Sequence, residues 1–122
     1  DIWIPAARPD VLNGQNIQRL DTRMVLPGAN IPATPAAEAW MHEHGVLYIP
    51  AYIANAGGVI CASVEYHGGT ELQAFDAIEE AIHRNVRAVL SYAMDENVST
   101  VEAAQVIARR RVTEAMGYRV HA

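Results

Sequence analysis

The first half of the chain contains three short apolar runs that begin about 22 residues apart, at residues 2–4, 24–26 and 46–49. Each run is rich in β-branched or aromatic residues and is bounded by turn-forming residues, which is typical of β-strands. None of the runs alternates polar and apolar positions, and such continuous runs are typical of parallel strands that are covered on both faces. The spacing is sufficient for one strand, one helix and two loops, so the pattern predicts three parallel strands joined by crossovers.

The segments between these runs carry helical signals. Thr34 is the predicted N-cap of the clearest helix, Pro35 suits its first position, and Gly45 suits its end. A shorter and more weakly patterned helix is expected in the first crossover. The predicted helices lie near residues 13–20, 34–44, 55–66, 70–94 and 99–116.

The second half of the chain is predicted to be a run of helices. Thr70 is expected to cap the longest helix, whose apolar residues recur at steps of three and four and therefore form one buried face. Ser99 and Glu102 form the sequence pattern of a capping box, which places the start of the last helix there. That helix is expected to end at Gly117.

Small residues and two asparagines occupy the loops that follow the strands, at residues 5–7, 27–32 and 50–59. In an open parallel sheet ligands bind outside the carboxyl ends of the strands, and all three loops would lie at that edge. Asn30 and Asn55 each offer a hydrogen-bond donor and an acceptor, which suits an uncharged amide such as the nicotinamide carboxamide, or sugar hydroxyls. The alternative is that both asparagines only stabilise turns through local backbone hydrogen bonds.

The charged residues exclude several kinds of chemistry. The chain has 14 acidic and 9 basic residues, with a formal charge of -5, and every basic residue is an arginine. Without a lysine the chain contains no P-loop and cannot itself supply a Schiff-base lysine or a lysine general base. The acidic balance argues against a nucleic-acid partner, which would favour a basic face.

The remaining composition is typical of a globular domain in a reducing compartment. Hydrophobic residues make up 51% of the chain, and no apolar run approaches the roughly 20 residues that a membrane span needs. Cys61 is the single cysteine and has no disulfide partner, so the expected location is the cytoplasm. No metal-ligand spacing is present, so no metal site is expected. The segment that starts at Asp1 is typical of a strand entered part-way and not of a signal peptide, so a fragment or a processed piece is expected.

Several of these segments resemble, in order and spacing, the glutamate/leucine/phenylalanine/valine dehydrogenase family. The most specific feature is the combination of Gly-Ala-Asn-Ile-Pro at residues 28–32 with Asn-Ala-Gly-Gly-Val at residues 55–59. Either motif alone would be a weak signal. Residues 1–7, Glu65 and residues 108–116 match as well, so the resemblance covers nearly the whole chain.

The resemblance implies an α/β fold, namely half of a Rossmann-like doubly wound parallel sheet followed by C-terminal helices, as a single partial NAD(P)-binding domain over residues 1–122. Family enzymes oxidatively deaminate an L-amino acid such as glutamate to a 2-oxo acid and ammonia, with NAD or NADP. Carried over by position, Ala6 and Ala7 would line the adenosine-ribose side of the cofactor. Asn30 would hydrogen-bond toward the ribose or the nicotinamide, and Asn55 would hold the nicotinamide carboxamide.

Two positions, Val59 and Ala62, are implied by the resemblance to contact the amino-acid substrate. Glutamate-specific members usually have serine where this chain has Ala62, and an apolar residue there resembles the members that act on branched-chain or aromatic amino acids. Ser63 is the next residue, and a one-residue bend in the helix would present its hydroxyl instead. The choice of amino acid therefore stays open.

No catalytic residue is expected in this chain. The catalytic lysines and aspartate of the family belong to its N-terminal domain, and the glycine fingerprint G-x-G-x-x-G lies upstream of the first strand here, so the isolated chain is expected to be inactive. Three strands would be half of a six-stranded sheet, and the open edge predicts self-association as a homo-oligomer. The alternative is a free-standing, non-catalytic nucleotide-binding or protein-interaction module. Because the chain lacks the glycine-rich turn, weak or undetectable NAD binding is expected, and micromolar affinity would favour the module.

Overall fold

The computed structural model describes residues 1–119, so residues 120–122 of the expected domain lie outside the described range. Within that range three strands and five α-helices follow one another along the chain. The strands are β1 (Ile2–Trp3), β2 (Met24–Val25) and β3 (Leu47–Tyr48). The helices are α1 (Pro35–Glu43), α2 (Ala51–Ala54), α3 (Gly57–Tyr66), α4 (Glu71–Glu96) and α5 (Thr100–Arg119).

The strands form one parallel sheet in the order β1, β2, β3, which confirms the predicted arrangement. Trp3 pairs with Val25, and Val25 pairs with Tyr48, so the three strands are in register. Because proline has no N–H to donate, it ends the pairing soon after each strand. The three prolines that follow the strands, all buried, are Pro5, Pro27 and Pro50.

Only one face of the sheet is well covered by the described residues. Val25 and Tyr48 are buried on that face, where they pack with Met41 of α1. On β1 the side chain of Ile2 is 61% exposed, and Ile4 is exposed as well. The expectation that both faces are covered is therefore wrong for β1, because the helices that contact the sheet, α1 and α5, lie against β3 at the far end.

Helix α1 has the ends that the sequence predicts. The Thr34 side chain accepts a hydrogen bond from Ala37 N at 3.3 Å, and Pro35 is the first helical residue. Gly45 follows the helix with φ +70, a conformation that glycine adopts without steric strain. The buried side of α1 completes a core that we call the sheet core, which consists of Leu12, Ile17, Val25, Ala33, Ala37, Met41 and Tyr48.

The weak helix predicted near residues 13–20 is wrong, because only a three-residue 3-10 helix (Ile17–Arg19) forms there. Asn13 Oδ1 accepts a hydrogen bond from Gln15 N, and Asn16 Oδ1 accepts one from Asn13 N, each at 3.0 Å. Short polar side chains that bind nearby backbone groups compete with helical hydrogen bonds. The first crossover is therefore a compact loop that buries Ile17 in the sheet core.

The helix predicted near residues 55–66 forms as α3, two residues shorter at its start, and a separate helical turn precedes it. One helical turn, α2, begins directly after Pro50, and α3 begins only at Gly57. Asn55 ends α2, with φ -106 and ψ 17, and therefore lies between two helices instead of inside one. The sequence interpretation missed α2 because a proline followed by four small or apolar residues also fits a loop.

The long helices α4 and α5 form a second core. Val89 of α4 packs with Ala103 and Ala104 of α5, and Ile53 of α2 lies against them. The capping box of α4 is formed by Thr70 and its partner Gln73, and α3 packs along α4. None of the helices over residues 1–119 is long and apolar enough to cross a membrane.

The ends of these helices differ slightly from the predicted ones. Helix α4 extends two residues beyond the predicted 94 and is followed by Asn97 in the left-handed conformation, with φ 54. Ser99 Oγ accepts a hydrogen bond from Glu102 N at 3.1 Å, as expected for the start of α5. Helix α5 does not end at Gly117 but continues to Arg119. A glycine costs about 1 kcal/mol relative to alanine inside a helix, which is not enough to end it.

Candidate functional site

The loops that follow the three strands contact one another at the carboxyl edge of the sheet. Gly28 N and Ala29 N, after β2, donate hydrogen bonds to Pro5 O, after β1, at 3.0 and 2.9 Å. The side-chain nitrogen of Asn55, after β3, donates to Gly28 O at 3.4 Å. Hydrogen bonds therefore connect all three loops, at the edge where ligands of parallel sheets bind.

Two asparagine side chains meet at this edge. Asn55 Nδ2 donates a hydrogen bond to Asn30 Oδ1 at 2.7 Å. Among residues 1–119, Asn55 Oδ1 and Asn30 Nδ2 have no hydrogen-bond partner, so the pair presents one acceptor and one NH2 donor at the surface. This is the pattern that complements a primary carboxamide. We call these two residues the asparagine pair.

Helix α2 fixes the position of Asn55. Ile53 N and Ala54 N both donate to Pro50 O, at 2.9 and 3.0 Å, and Asn55 N donates to Ala51 O at 2.9 Å. This single turn begins three residues after the end of β3 and places Asn55 within hydrogen-bond distance of Asn30 in the loop after β2.

Gly28 favours the close approach of two loops. A Cβ atom at this position would lie 3.2 Å from Ala6 Cβ, closer than most such contacts. The absence of a side chain therefore allows the loop after β2 to rest on the loop after β1. Ala6 and Ala7 are both exposed beside this contact, and Ala6 is thereby brought next to the segment that carries Asn30.

A family model described as Glutamate/Leucine/Phenylalanine/Valine dehydrogenase matches residues 1–119. The chain belongs to this family. The family identification made from the loop motifs is therefore confirmed, and the expected α/β fold with a three-stranded parallel sheet is confirmed by the structure.

Individual relatives of this chain agree with the family match. Glutamate dehydrogenase of Aeropyrum pernix is 36% identical over 98% of this chain, and the NADP(+)-dependent glutamate dehydrogenase of Pyrobaculum calidifontis is 34% identical over 95%. The structure of L-tryptophan dehydrogenase from Nostoc punctiforme superposes with a TM-score of 0.85 at 28% identity, over 95% of this chain and 36% of that one. The chain spans only 31% and 29% of the two curated relatives.

The two residues expected to contact substrate lie on α3. Val59 and Ala62 are three residues apart and therefore lie on the same side of the helix. Val59 is 78% exposed, and Ala62 and Ser63 are exposed too. Over the described range no hydrogen bond connects these residues to the asparagine pair.

Sequence reasoning did not single out Ile31, which lies beside the asparagine pair in the chain. It directly follows Asn30 and has a φ of 49, in the left-handed region that β-branched residues rarely adopt. A glycine or an asparagine at this position would have indicated a positive φ, whereas an isoleucine does not indicate one. The backbone carbonyls of Pro5 and Gly28 were missed too, because which residue accepts from which depends on the tertiary structure.

A carboxyl group and two phenols lie close together behind the loop after β3. Burial raises the pKa of the Glu38 carboxyl, and a hydrogen bond from the Tyr48 hydroxyl lowers that pKa by less. Burial and the nearby Glu38 carboxylate raise the pKa of Tyr48, and both causes also raise the pKa of Tyr52 in α2. Both phenols are therefore protonated at neutral pH and can donate hydrogen bonds.

Replacing Glu38 with glutamine should remove a pH-dependent loss of stability. Because the pKa of Glu38 is raised in the folded chain, the stability that its neutral form contributes is complete below pH 4.5 and is lost as the pH rises through the folded pKa. Glutamine stays neutral, so the unfolding free energy of Glu38→Gln relative to the unmodified chain should increase from pH 4 to pH 7. Urea denaturation across this range measures the difference. Glu43→Gln, on the exposed side of α1, is the matched control, and an equal trend in both variants would contradict the assignment.

A cavity of about 330 Å³ is lined by Glu38 and Tyr48 and lies between α1, β3 and the turn from α4 to α5. His42, Asn97 and Ser99 are among its polar lining residues. Neither member of the asparagine pair lines it. Within the described part of the chain no three histidine, cysteine or acidic side chains converge to hold a metal ion. The hydrogen-bonding groups of the asparagine pair, rather than this cavity, therefore define the candidate site.

Proposed function

We propose that this chain is the part of an NAD(P)-dependent amino-acid dehydrogenase that holds the nicotinamide of the cofactor. The intact enzyme would oxidatively deaminate an L-amino acid such as glutamate to the 2-oxo acid. The observation that carries the proposal is the hydrogen bond of 2.7 Å between Asn55 and Asn30 at the carboxyl edge of the sheet. Family membership and the relatives named as glutamate and L-tryptophan dehydrogenases support the reaction class.

The residues at this edge fit the uncharged end of the cofactor. Asn55 Oδ1 would accept from the carboxamide NH2, and Asn30 Nδ2 would donate to the carboxamide oxygen or to a ribose hydroxyl. Ala6 and Ala7, which carry no polar side-chain atoms, would let the adenosine-ribose side approach the backbone closely. When bound, NAD or NADP supplies the hydride acceptor, and the role of these residues is to orient its nicotinamide ring.

The substrate side of the proposal rests on α3. Val59 and Ala62 lie one helical turn apart and are exposed, so they can line one wall of a pocket for the amino-acid side chain. Both are apolar and would contribute contact area without hydrogen bonds, as specificity for one amino acid over another by side-chain size requires.

Exposed residues, net charge and the cysteine content support three further parts of the proposal, on assembly, nucleic acid and location. The exposed Ile2 and Ile4 on the open edge of β1 support assembly into a homo-oligomer, because exposed strand edges tend to pair with other chains. The formal charge of -5 is unfavourable for nucleic acid. The unpaired Cys61 supports a reducing, cytoplasmic location for the enzyme.

The catalytic groups of the reaction would come from outside this chain, which has no lysine and spans about a third of its relatives. The test combines the coding DNA upstream of Asp1 with two assays. We expect an in-frame G-x-G-x-x-G motif and a lysine-bearing domain, oxidation of L-amino acids by the full-length protein with NAD or NADP, and background turnover by the 122-residue chain alone.

Two results would overturn this proposal. Turnover by the 122-residue chain alone would contradict the assignment of catalysis to the missing part. Absence of the upstream domain, together with micromolar NAD binding by the chain in calorimetry, would establish a free-standing binding module instead.

A further inference from the structure

Ile31 has a backbone conformation that its residue type disfavours. Its φ of 49 places Cβ and the β-branched side chain against the backbone, which L-residues other than glycine, asparagine and aspartate rarely tolerate. The other described residues with positive φ all belong to tolerant types. They are Asp10, Gly45, Gly68 and Asn97.

The surrounding backbone holds Ile31 in this conformation. Ile31 O accepts a hydrogen bond from Asp10 N at 2.9 Å, and the next carbonyl, Pro32 O, accepts one from Leu12 N at 2.9 Å. Pro32 is buried, and on the other side Asn30 is tied to Asn55 through its side chain. The chain therefore has no freedom here to relax the strain by rotating the peptide units.

The described fold gains little from the isoleucine side chain, which is 68% exposed. A glycine or an asparagine would adopt the same φ with less strain and would leave no apolar surface in water. Neither the backbone nor the packing therefore explains an isoleucine at this position. Such an outlier points to a contact outside the described residues.

We infer that Ile31 is a specificity-determining residue that covers one face of the nicotinamide ring when the asparagine pair holds the carboxamide. This inference rests on the proposed function. Ile31 directly follows Asn30, so a ring whose carboxamide is bound by the pair lies beside it. An apolar side chain favours the reduced ring, which is neutral, over the oxidised ring, which carries a positive charge and loses more hydration energy on contact.

The test measures cofactor affinity in the full-length protein by fluorescence and calorimetry. Ile31→Gly and Ile31→Asn should weaken NADH or NADPH binding about tenfold, with a smaller loss for the oxidised cofactor. Binding of ADP-ribose, which lacks the nicotinamide, should be unchanged in both variants. Ile31→Val keeps an apolar side chain and should retain most of the affinity. Asp10→Gly changes another exposed residue with positive φ and serves as the control with unchanged affinity.

Stability separates a binding role from a structural one. If Ile31 serves the ligand, Ile31→Asn should unfold at the same or a higher urea concentration while binding the reduced cofactor more weakly. Unchanged affinity in both variants, or equal losses for NADH and ADP-ribose, would overturn the inference. An unmodified protein that binds NADH no better than ADP-ribose would instead refute the proposed function, so the two failures can be distinguished.

Discussion

Met41→Ala should lower the free energy of unfolding by about 3 kcal/mol, the middle of the range for truncating a buried methionine. Met41 is 0% exposed and lies at the centre of the sheet core, between Ala37 on its own helix and Val25 of the sheet. Alanine would remove its thioether and leave a void, because neighbours fixed on a helix and a strand collapse only partly.

The measurement is urea denaturation of the 122-residue chain, followed by far-UV circular dichroism. Domains of this size are typically stable by about 5–15 kcal/mol, so the loss would be a large fraction of the total. Met116→Ala is the matched control, since Met116 is 63% exposed on α5 and should change stability by less than about 0.5 kcal/mol. Equal losses in both variants would show that α1 does not pack against the sheet as described.

The elements that position the site could be predicted from the sequence where local signals and burial agree. The three apolar runs became parallel strands, and Thr34 and Pro35 set the start of α1 as expected. The proximity of Asn30 and Asn55 could be predicted as well, because adjacent parallel strands bring the loops at their carboxyl ends together. Proximity of the two asparagines was thus predictable, but the hydrogen bond between them was not.

The features that were not predictable depend on contacts distant in sequence or on competition between local hydrogen bonds. Asn13 and Asn16 bind nearby backbone groups, so the segment after β1 forms no α-helix. The break before α3 places Asn55 between two helices. Its hydrogen bond to Asn30 depends on the folded position of the loop after β2, which the local sequence does not indicate. The positive φ of Ile31 is imposed by hydrogen bonds from the segment at residues 10–12, which no local pattern reveals.

In the full-length protein with the proposed dehydrogenase activity, Asn55→Ala should lower kcat/KM by about 100-fold, equivalent to about 2.7 kcal/mol of transition-state stabilisation. The substitution removes the acceptor proposed for the carboxamide NH2 and the donor that ties Asn55 to Asn30. The nicotinamide would then lose a hydrogen bond and also its fixed orientation, and misplacement by about 1 Å costs a similar factor in rate. Stability should change little, since Asn30 is exposed and Asn55 is only partly buried.

Asn30→Ala and the double variant distinguish an asparagine pair that acts as a unit from two independent contacts. If Asn30 acts partly by orienting Asn55, the double variant should lose much less than the product of the two single losses, because residues in one hydrogen-bond network are not additive. Asn85→Ala is the matched control: the Asn85 side chain also takes part in a hydrogen bond, which it accepts from Arg111 at 3.1 Å, but Asn85 lies on α4. Independent, multiplicative losses would show that each asparagine binds the cofactor separately, and a loss in Asn85→Ala as large as in Asn55→Ala would remove the asparagine pair from the mechanism.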